Sequence, residues 1–132
     1  MSVVYLDASA LVKLIVVEPE SGALFEFLRA RPDRASSIVS LVEVPRALRR
    51  ISGTTADRRR ARRLLGSLYL VDLDRRILAA AAAFEPVELR ALDAIHLATA
   101  AALGEDLAEL VTYDRRLAAA AARLDVAVLA PS

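Results

Sequence analysis

Asp7, Glu43, Asp93 and Asp114 are the residues of this sequence with the most chemistry to offer. Asp7 closes the apolar run Val3-Val4-Tyr5-Leu6, and Asp114 follows a second one, Leu110-Val111-Thr112-Tyr113. Glu43 and Asp93 stand at what read as helix starts, Ser40-Leu41-Val42-Glu43 and Leu92-Asp93-Ala94-Ile95-His96. In a parallel α/β chain, functional groups collect at the carboxyl ends of the strands, so these acids are expected to meet there. Gathered carboxylates repel one another and are costly to bury unless a cation neutralises them. A hard divalent ion such as magnesium takes oxygen ligands and keeps several waters. Such a centre suits metal-dependent chemistry on a phosphate ester.

Each acid also has a local role open to it. An aspartate between strand and helix is a good N-cap, which covers Asp7 and Asp114. Glu43 can be the reciprocal partner of Ser40 in a capping box. Asp93 can cap its own helix, but Leu92, Ile95 and Leu97 are expected to face inward around it, and an ionised aspartate beside them is expensive unless paired. The hydroxyls of Ser9 and Thr112 can orient carboxylates or simply cap locally. His96 is the only histidine. With no serine or cysteine partner, it reads as a packed, hydrogen-bonded residue rather than a base.

The elements that must position these groups alternate as β-α-β units around a parallel sheet. Expected strands are Val3 to Leu6, Arg34 to Ser37, Tyr69 to Leu73, Leu110 to Thr112 and Val126 to Leu129. Expected helices run from Ala8 to Val16, from a Ser21 cap to about Arg31, from Ser40 through Arg50, from Ala56 to Ser67 behind a Thr54 or Thr55 cap, from Asp74 to before Pro86, from Asp93 to Leu103 closed by Gly104, and from Arg115 to Leu124. Pro45 should make the first turn of its helix irregular, because it removes a backbone hydrogen bond. The alanine runs Ala79 to Ala83 and Ala118 to Ala122 suit close helix–sheet packing.

Length and composition bound the rest. The 132 residues fit a single domain, residues 1–132, with a real core. There is no cysteine, which excludes disulfides, zinc–thiolate sites and thiol nucleophiles. No apolar run approaches the roughly 20 residues of a membrane span, and the N-terminus lacks a signal-peptide pattern. A cytoplasmic protein with no membrane association is expected. The formal net charge of +1 says nothing about a nucleic-acid partner, but its distribution does. Apart from Lys13, every basic residue is arginine, crowded into the middle of the chain. Arg46, Arg49 and Arg50 follow Glu43 by one to two helical turns and could flank the same mouth, contacting backbone phosphates or a protein partner. Arg58 to Arg63 could do likewise or form an ordinary solvated helix face. With few aromatics, base stacking is not expected to dominate recognition of any nucleic acid.

Four segments in order, Val3 to Lys13, Ser40 to Glu43, Leu92 to Ala100 and Val111 to Leu117, resemble the motifs of the PIN-domain ribonucleases, and more narrowly the VapC toxins of bacterial toxin–antitoxin pairs. The similarity runs from Val3 to Pro131. It implies a PIN-like three-layer α/β/α sandwich with a central, mainly parallel sheet. It also implies a magnesium- or manganese-dependent endoribonuclease acting on structured RNA, commonly transfer RNA, silenced by a VapB-type antitoxin and habitually a homodimer. By position, Asp7, Glu43, Asp93 and Asp114 match the family's acidic quartet, with Asp7, Asp93 and Asp114 as metal ligands, and Ser9 and Thr112 match its accessory hydroxyls. Two departures stand out: Pro45 in the helix of Glu43, and Asp125 where glycine is frequent. Asp125 should tolerate the left-handed conformation.

Rival acid-bearing folds fit worse. A haloacid-dehalogenase-type phosphotransferase needs a second aspartate two residues after the first, where this chain has Ser9, and a receiver domain needs a late lysine, absent beyond Lys13. The alternative from another class is a PIN-like module that binds RNA or protein without cutting.

Overall fold

The computed structural model describes residues 2–132. Strands β1 (Val3–Leu6), β2 (Arg34–Ser37), β3 (Tyr69–Val71), β4 (Leu107–Val111) and β5 (Val128–Leu129) form one sheet in the order β3-β2-β1-β4-β5, every pair parallel. The helices are α1 (Ala8–Lys13), α2 (Ser21–Leu28), α3 (Ser40–Ile51), α4 (Thr55–Ser67), α5 (Arg75–Ala83), α6 (Ala91–Ala102) and α7 (Arg115–Arg123). Alternation along β1 sorts them into layers, because successive side chains of a strand point to opposite faces. Val4 and Leu6 pack with Leu11, Leu24, Val44, Leu48 and Leu65, from α1 to α4. Tyr5 points the other way and packs with Leu97 and Ala100 of α6 and Leu117 and Ala120 of α7. Helices therefore cover both faces, and the near-continuous apolar β1 is what a doubly covered strand requires.

The strand order fixes where a site can form. From β1 the chain works outward through β2 to β3, then crosses back to place β4 on the other side of β1. The reversal leaves a crevice between the carboxyl ends of β1 and β4, the topological switch point where ligands bind in open α/β sheets. Asp7 follows β1, and Thr112 to Asp114 follow β4.

Several local expectations are corrected. Ser40 is not an N-cap: Val39 holds that position in helical conformation, so the Ser40 hydroxyl lies within the first turn and meets Ser36 Oγ at 2.7 Å. The capping box does not form, and Glu43 is released for another partner. Ser21 likewise starts α2 behind Glu20, and its hydroxyl donates to the Lys13 carbonyl at 2.7 Å, tying α2 to the end of α1. Helix α1 stops at Lys13 rather than Val16, α2 at Leu28, and β3 at Val71. Strand β4 starts early, at Leu107, and ends at Val111, which moves Thr112 into the loop. Helix α3 runs unbroken through Pro45, which is exposed, as is Leu41, whose carbonyl Pro45 cannot bond. Asp93 is not a cap either; Arg90 is, and Leu92 stands outward at 45% exposure. The expected left-handed turn does occur, with Asp125 at φ 57°.

Leu97 is fully buried on α6 between the sheet and α7. Leu97→Ala should cost about 2–5 kcal/mol in urea unfolding, while Leu92→Ala stays within about 0.5 kcal/mol. Equal midpoints for the two variants would contradict this placement of α6.

Candidate active site

Asp7 is 3% exposed and is held from three directions. Its Oδ1 accepts from the Ala10 amide at 3.0 Å, capping α1, and from Ser9 Oγ at 2.6 Å. Its Oδ2 accepts a short bond from Thr112 Oγ1, across the switch point. Burial pushes Asp7 above the usual carboxylate range, and the Ser9 and Thr112 hydroxyls pull the other way. Both hydroxyls are also acceptors: Ser9 Oγ takes the Tyr113 amide at 3.0 Å, and Thr112 Oγ1 takes the Asp114 amide at 3.0 Å. Asp7 is therefore stapled, through these two side chains, to the loop that presents Asp114.

Asp114 caps α7, its Oδ1 accepting from the Arg116 and Leu117 amides at 2.8 and 3.1 Å. For Asp7 and Asp114, the capping role and the place in the crevice coexist. Glu43 Oε1 pairs with His96 Nε2 at 2.6 Å, and His96 Nδ1 with the Tyr5 hydroxyl at 2.7 Å. His96 is thus a packed, hydrogen-bonded residue, as expected, and its partner is Glu43. Burial keeps the Tyr5 phenol well above its ordinary range, so it stays a hydroxyl.

Asp93 reports the company it keeps. Its carboxyl is pushed up to about 6, first by burial, then by the charges of Asp114 and Asp7, with a smaller push from Glu43. Asp93 is close enough to feel each of the other three acids. Glu43, Asp93 and Asp114 line a single cleft of about 560 Å³ together with Val42, Arg46, Arg50, Arg90, Ala91 and Leu92. Among the described residues, no lysine or arginine forms an ion pair with any of the four acids.

Arg46 and Arg50 share the cleft face with Glu43 because they follow it by three and seven residues, one side of a helix. Arg49, one step round, does not line it. Arg90 was not anticipated; the signal available was its place three residues before Asp93, at the N-cap of the same helix. Arg58 and Arg60 of α4 are occupied elsewhere, with the Gly53 carbonyl and with Asp57. That favours the solvated-face reading of this run.

Whether these residues suit a divalent ion turns on donor chemistry. Among the described residues, no three acidic or imidazole groups close into a ready-made cage. Magnesium does not need one, since it keeps most of its waters and takes one or two carboxylates directly. The donors are all carboxylate oxygens, and Asp93 is held up by burial and by the neighbouring acids Asp114 and Asp7. The set fits a hard cation, with Asp93 and Asp114 at the cleft and Asp7 behind them.

The staple should be measurable. Thr112→Val removes a donor to Asp7 and an acceptor for the Asp114 amide at nearly constant shape, and is expected to cost about 1.5–3 kcal/mol. Thr112→Ser should recover most of it in thermal unfolding. An unchanged melting temperature for the valine variant would show that the hydroxyl holds nothing.

The PIN domain model matches residues 4–123. Ribonuclease VapC46 of Mycobacterium tuberculosis (strain ATCC 25618 / H37Rv) is 51% identical over 132 residues, covering 100% of both chains. Among solved structures, a toxin–antitoxin complex from Klebsiella pneumoniae matches at TM-score 0.65 and 25% identity, over 84% of this chain and 86% of that one. VapC20 of Mycobacterium tuberculosis, a toxin that cleaves the sarcin–ricin loop, matches at TM-score 0.71 and 21% identity, over 89% and 94%. With the acids gathered at the switch point of an all-parallel sheet, these matches settle the kinship: the chain belongs to the PIN-domain family, among the VapC ribonucleases.

Proposed function

We propose that this protein is a magnesium-dependent endoribonuclease toxin that hydrolyses phosphodiester bonds of structured RNA, of the transfer-RNA class, and is neutralised by a VapB-type antitoxin. The observation that carries the reading is the composition of one cleft: it is lined by Glu43, Asp93 and Asp114 and by Arg46, Arg50 and Arg90, which among the described residues form no ion pairs with them. Free guanidinium groups bind backbone phosphates, and the neighbouring acids would hold the ion where the scissile phosphate lands. When bound, magnesium (or manganese) supplies Lewis acidity, offsetting phosphate charge and lowering the pKa of a water towards neutrality. Asp93 and Asp114 are the ligands that face the cleft. Asp7 completes the set with its aim fixed by Ser9 and Thr112, and Glu43 closes the ring.

With three tyrosines, three phenylalanines and no tryptophan, stacking surface is scarce, which supports reading a folded RNA by backbone and shape. Exposed Val42 and Leu92 line the same cleft and give its mouth an apolar rim, suited to an antitoxin that blocks it. The Klebsiella neighbour, a toxin–antitoxin complex, supports such a partner. A homodimer fits the exposed apolar side chains Leu78, Val87 and Leu92. Among the described residues no helix is long and apolar enough to cross a membrane, which accords with a cytoplasmic location.

Incubating purified protein with total RNA tests the activity. Cleavage should need magnesium or manganese, stop with chelator, and leave 5′-phosphate and 3′-hydroxyl ends. Asp7→Ala and Asp93→Ala should each lower the rate by about 100-fold or more. Fragments ending in 2′,3′-cyclic phosphate, or growth arrest that survives both substitutions in a bacterial host, would replace this reading with another chemistry or with a binding module.

The raised Asp93 carboxyl gives a second test. Its folded pKa of about 6 lies above the ordinary 3.8, so the folded form binds more protons in between and stability falls as pH rises through that window. At pH 7 without metal, Asp93→Asn should therefore raise the melting temperature by a few degrees, about 1 kcal/mol after solvent screening. The gain should vanish near pH 4. A variant less stable than the parent at pH 7 would contradict the crowding of charge around Asp93.

A further inference from the structure

We propose that Tyr5 and His96, beyond packing in the core, are positioning residues that fix the aim of Glu43 without joining the reacting set. The inference rests on the nuclease reading only in that Glu43 faces the cleft. His96 is 1% exposed, Tyr5 is fully buried, and both imidazole nitrogens are engaged, Nδ1 with the Tyr5 hydroxyl and Nε2 with Glu43 Oε1. The rings meet edge to face, with centroids 5.8 Å apart and planes at 72°, so the imidazole is locked sterically as well. An ionised carboxylate only accepts hydrogen bonds, so Nε2 carries the hydrogen and His96 is a fixed donor to Glu43. A buried imidazole with both nitrogens committed has no lone pair to offer a water in the cleft.

The chain of contacts runs from the central strand β1, through α6, to α3. Glu43 has three rotatable side-chain bonds and stands on the same helix face as Arg46 and Arg50. Without the His96 donor, the nearest ordinary partner for its carboxylate is Arg46, at i+3. Its local alternative is gone too, because Ser40 is not the N-cap and the capping box, in which the Glu43 carboxylate would accept from the Ser40 amide, does not form. His96 therefore holds Oε1 inward, leaving Oε2 as the oxygen for the cleft. It also keeps Glu43 from closing over Arg46, which must stay free for phosphate. Tyr5 sets the ring and lies two residues before Asp7, so one strand governs the aim of two of the acids.

Because His96 is the chain's only histidine, ¹⁵N-histidine labelling reads it without assignment. In the metal-free protein, NMR should show a slowly exchanging hydrogen on Nε2. A hydrogen on Nδ1 with bare Nε2, or rapid averaging between the two, would overturn the proposal. Kinetics and manganese titration of the whole chain follow. His96→Leu should lower kcat about tenfold with little change in KM, and weaken manganese binding about tenfold, the scale seen when groups that orient a metal site are lost. His96→Gln, which restores a donor near Nε2, should recover most of both. Tyr5→Phe keeps the ring, removes only the hydroxyl, and should lower kcat several-fold; it carries the test if His96→Leu does not fold. Parental kcat and manganese affinity in a folded His96→Leu or Tyr5→Phe variant would sink the inference. Failure of the parent protein to cut RNA would instead fall on the nuclease reading, and the NMR result would still decide the geometry.

Discussion

A carboxylate buried at the centre of the molecule must be surrounded by donors, and Asp7 organises its surroundings on that condition. The Ala10 amide, Ser9 and Thr112 meet it, and the two hydroxyls pass the constraint on to the Tyr113 and Asp114 amides. The requirement to satisfy one acid thereby joins the ends of β1 and β4 and gives the β4–α7 loop its shape. Strand pairing brings those ends together; the hydroxyls decide how the loop turns. Loss of either hydroxyl would leave an acid in low dielectric with fewer partners, which costs more than an ordinary surface bond.

Around that anchor, the cleft keeps opposite charges adjacent without letting them pair. Arg46, Arg50 and Arg90 share the cleft with Glu43, Asp93 and Asp114. Had they formed ion pairs, both sets of charges would already be neutralised within the protein. The cost of this separation is visible in Asp93, whose carboxyl is held up to about 6 by burial and by its acidic neighbours. Such stored repulsion is typical of places that bind something of opposite charge. Glu43 bonds to His96, which leads back into the core through Tyr5.

Much of the fold was legible from hydrophobic patterning. Unbroken apolar runs marked β1 and the end of β4, and alternation with longer helical segments implied a parallel sheet covered on both faces. Asp7 and Asp114 could be placed because a residue just past a strand has few other places to be. Periodicity gives a repeat but not its phase, which is why Leu92 was expected inward and stands outward. The same limit separates Arg49 from Arg46 and Arg50. The local cap open to Ser40 and Glu43 fails for a different reason. Their spacing matches a local cap, but the helix begins one residue earlier, and each finds a partner beyond the motif.

The sequence by itself determined the order of elements, the four acids with their supporting hydroxyls, and the absence of thiol chemistry, because these depend on residue type and short-range spacing. Only the tertiary structure decided that His96 serves Glu43, that Arg90 joins Arg46 and Arg50, and that Asp93 is crowded by its neighbours. Those facts belong to contacts between segments tens of residues apart. They are set by how α3 and α6 seat on the sheet, a matter of packing that no local pattern encodes.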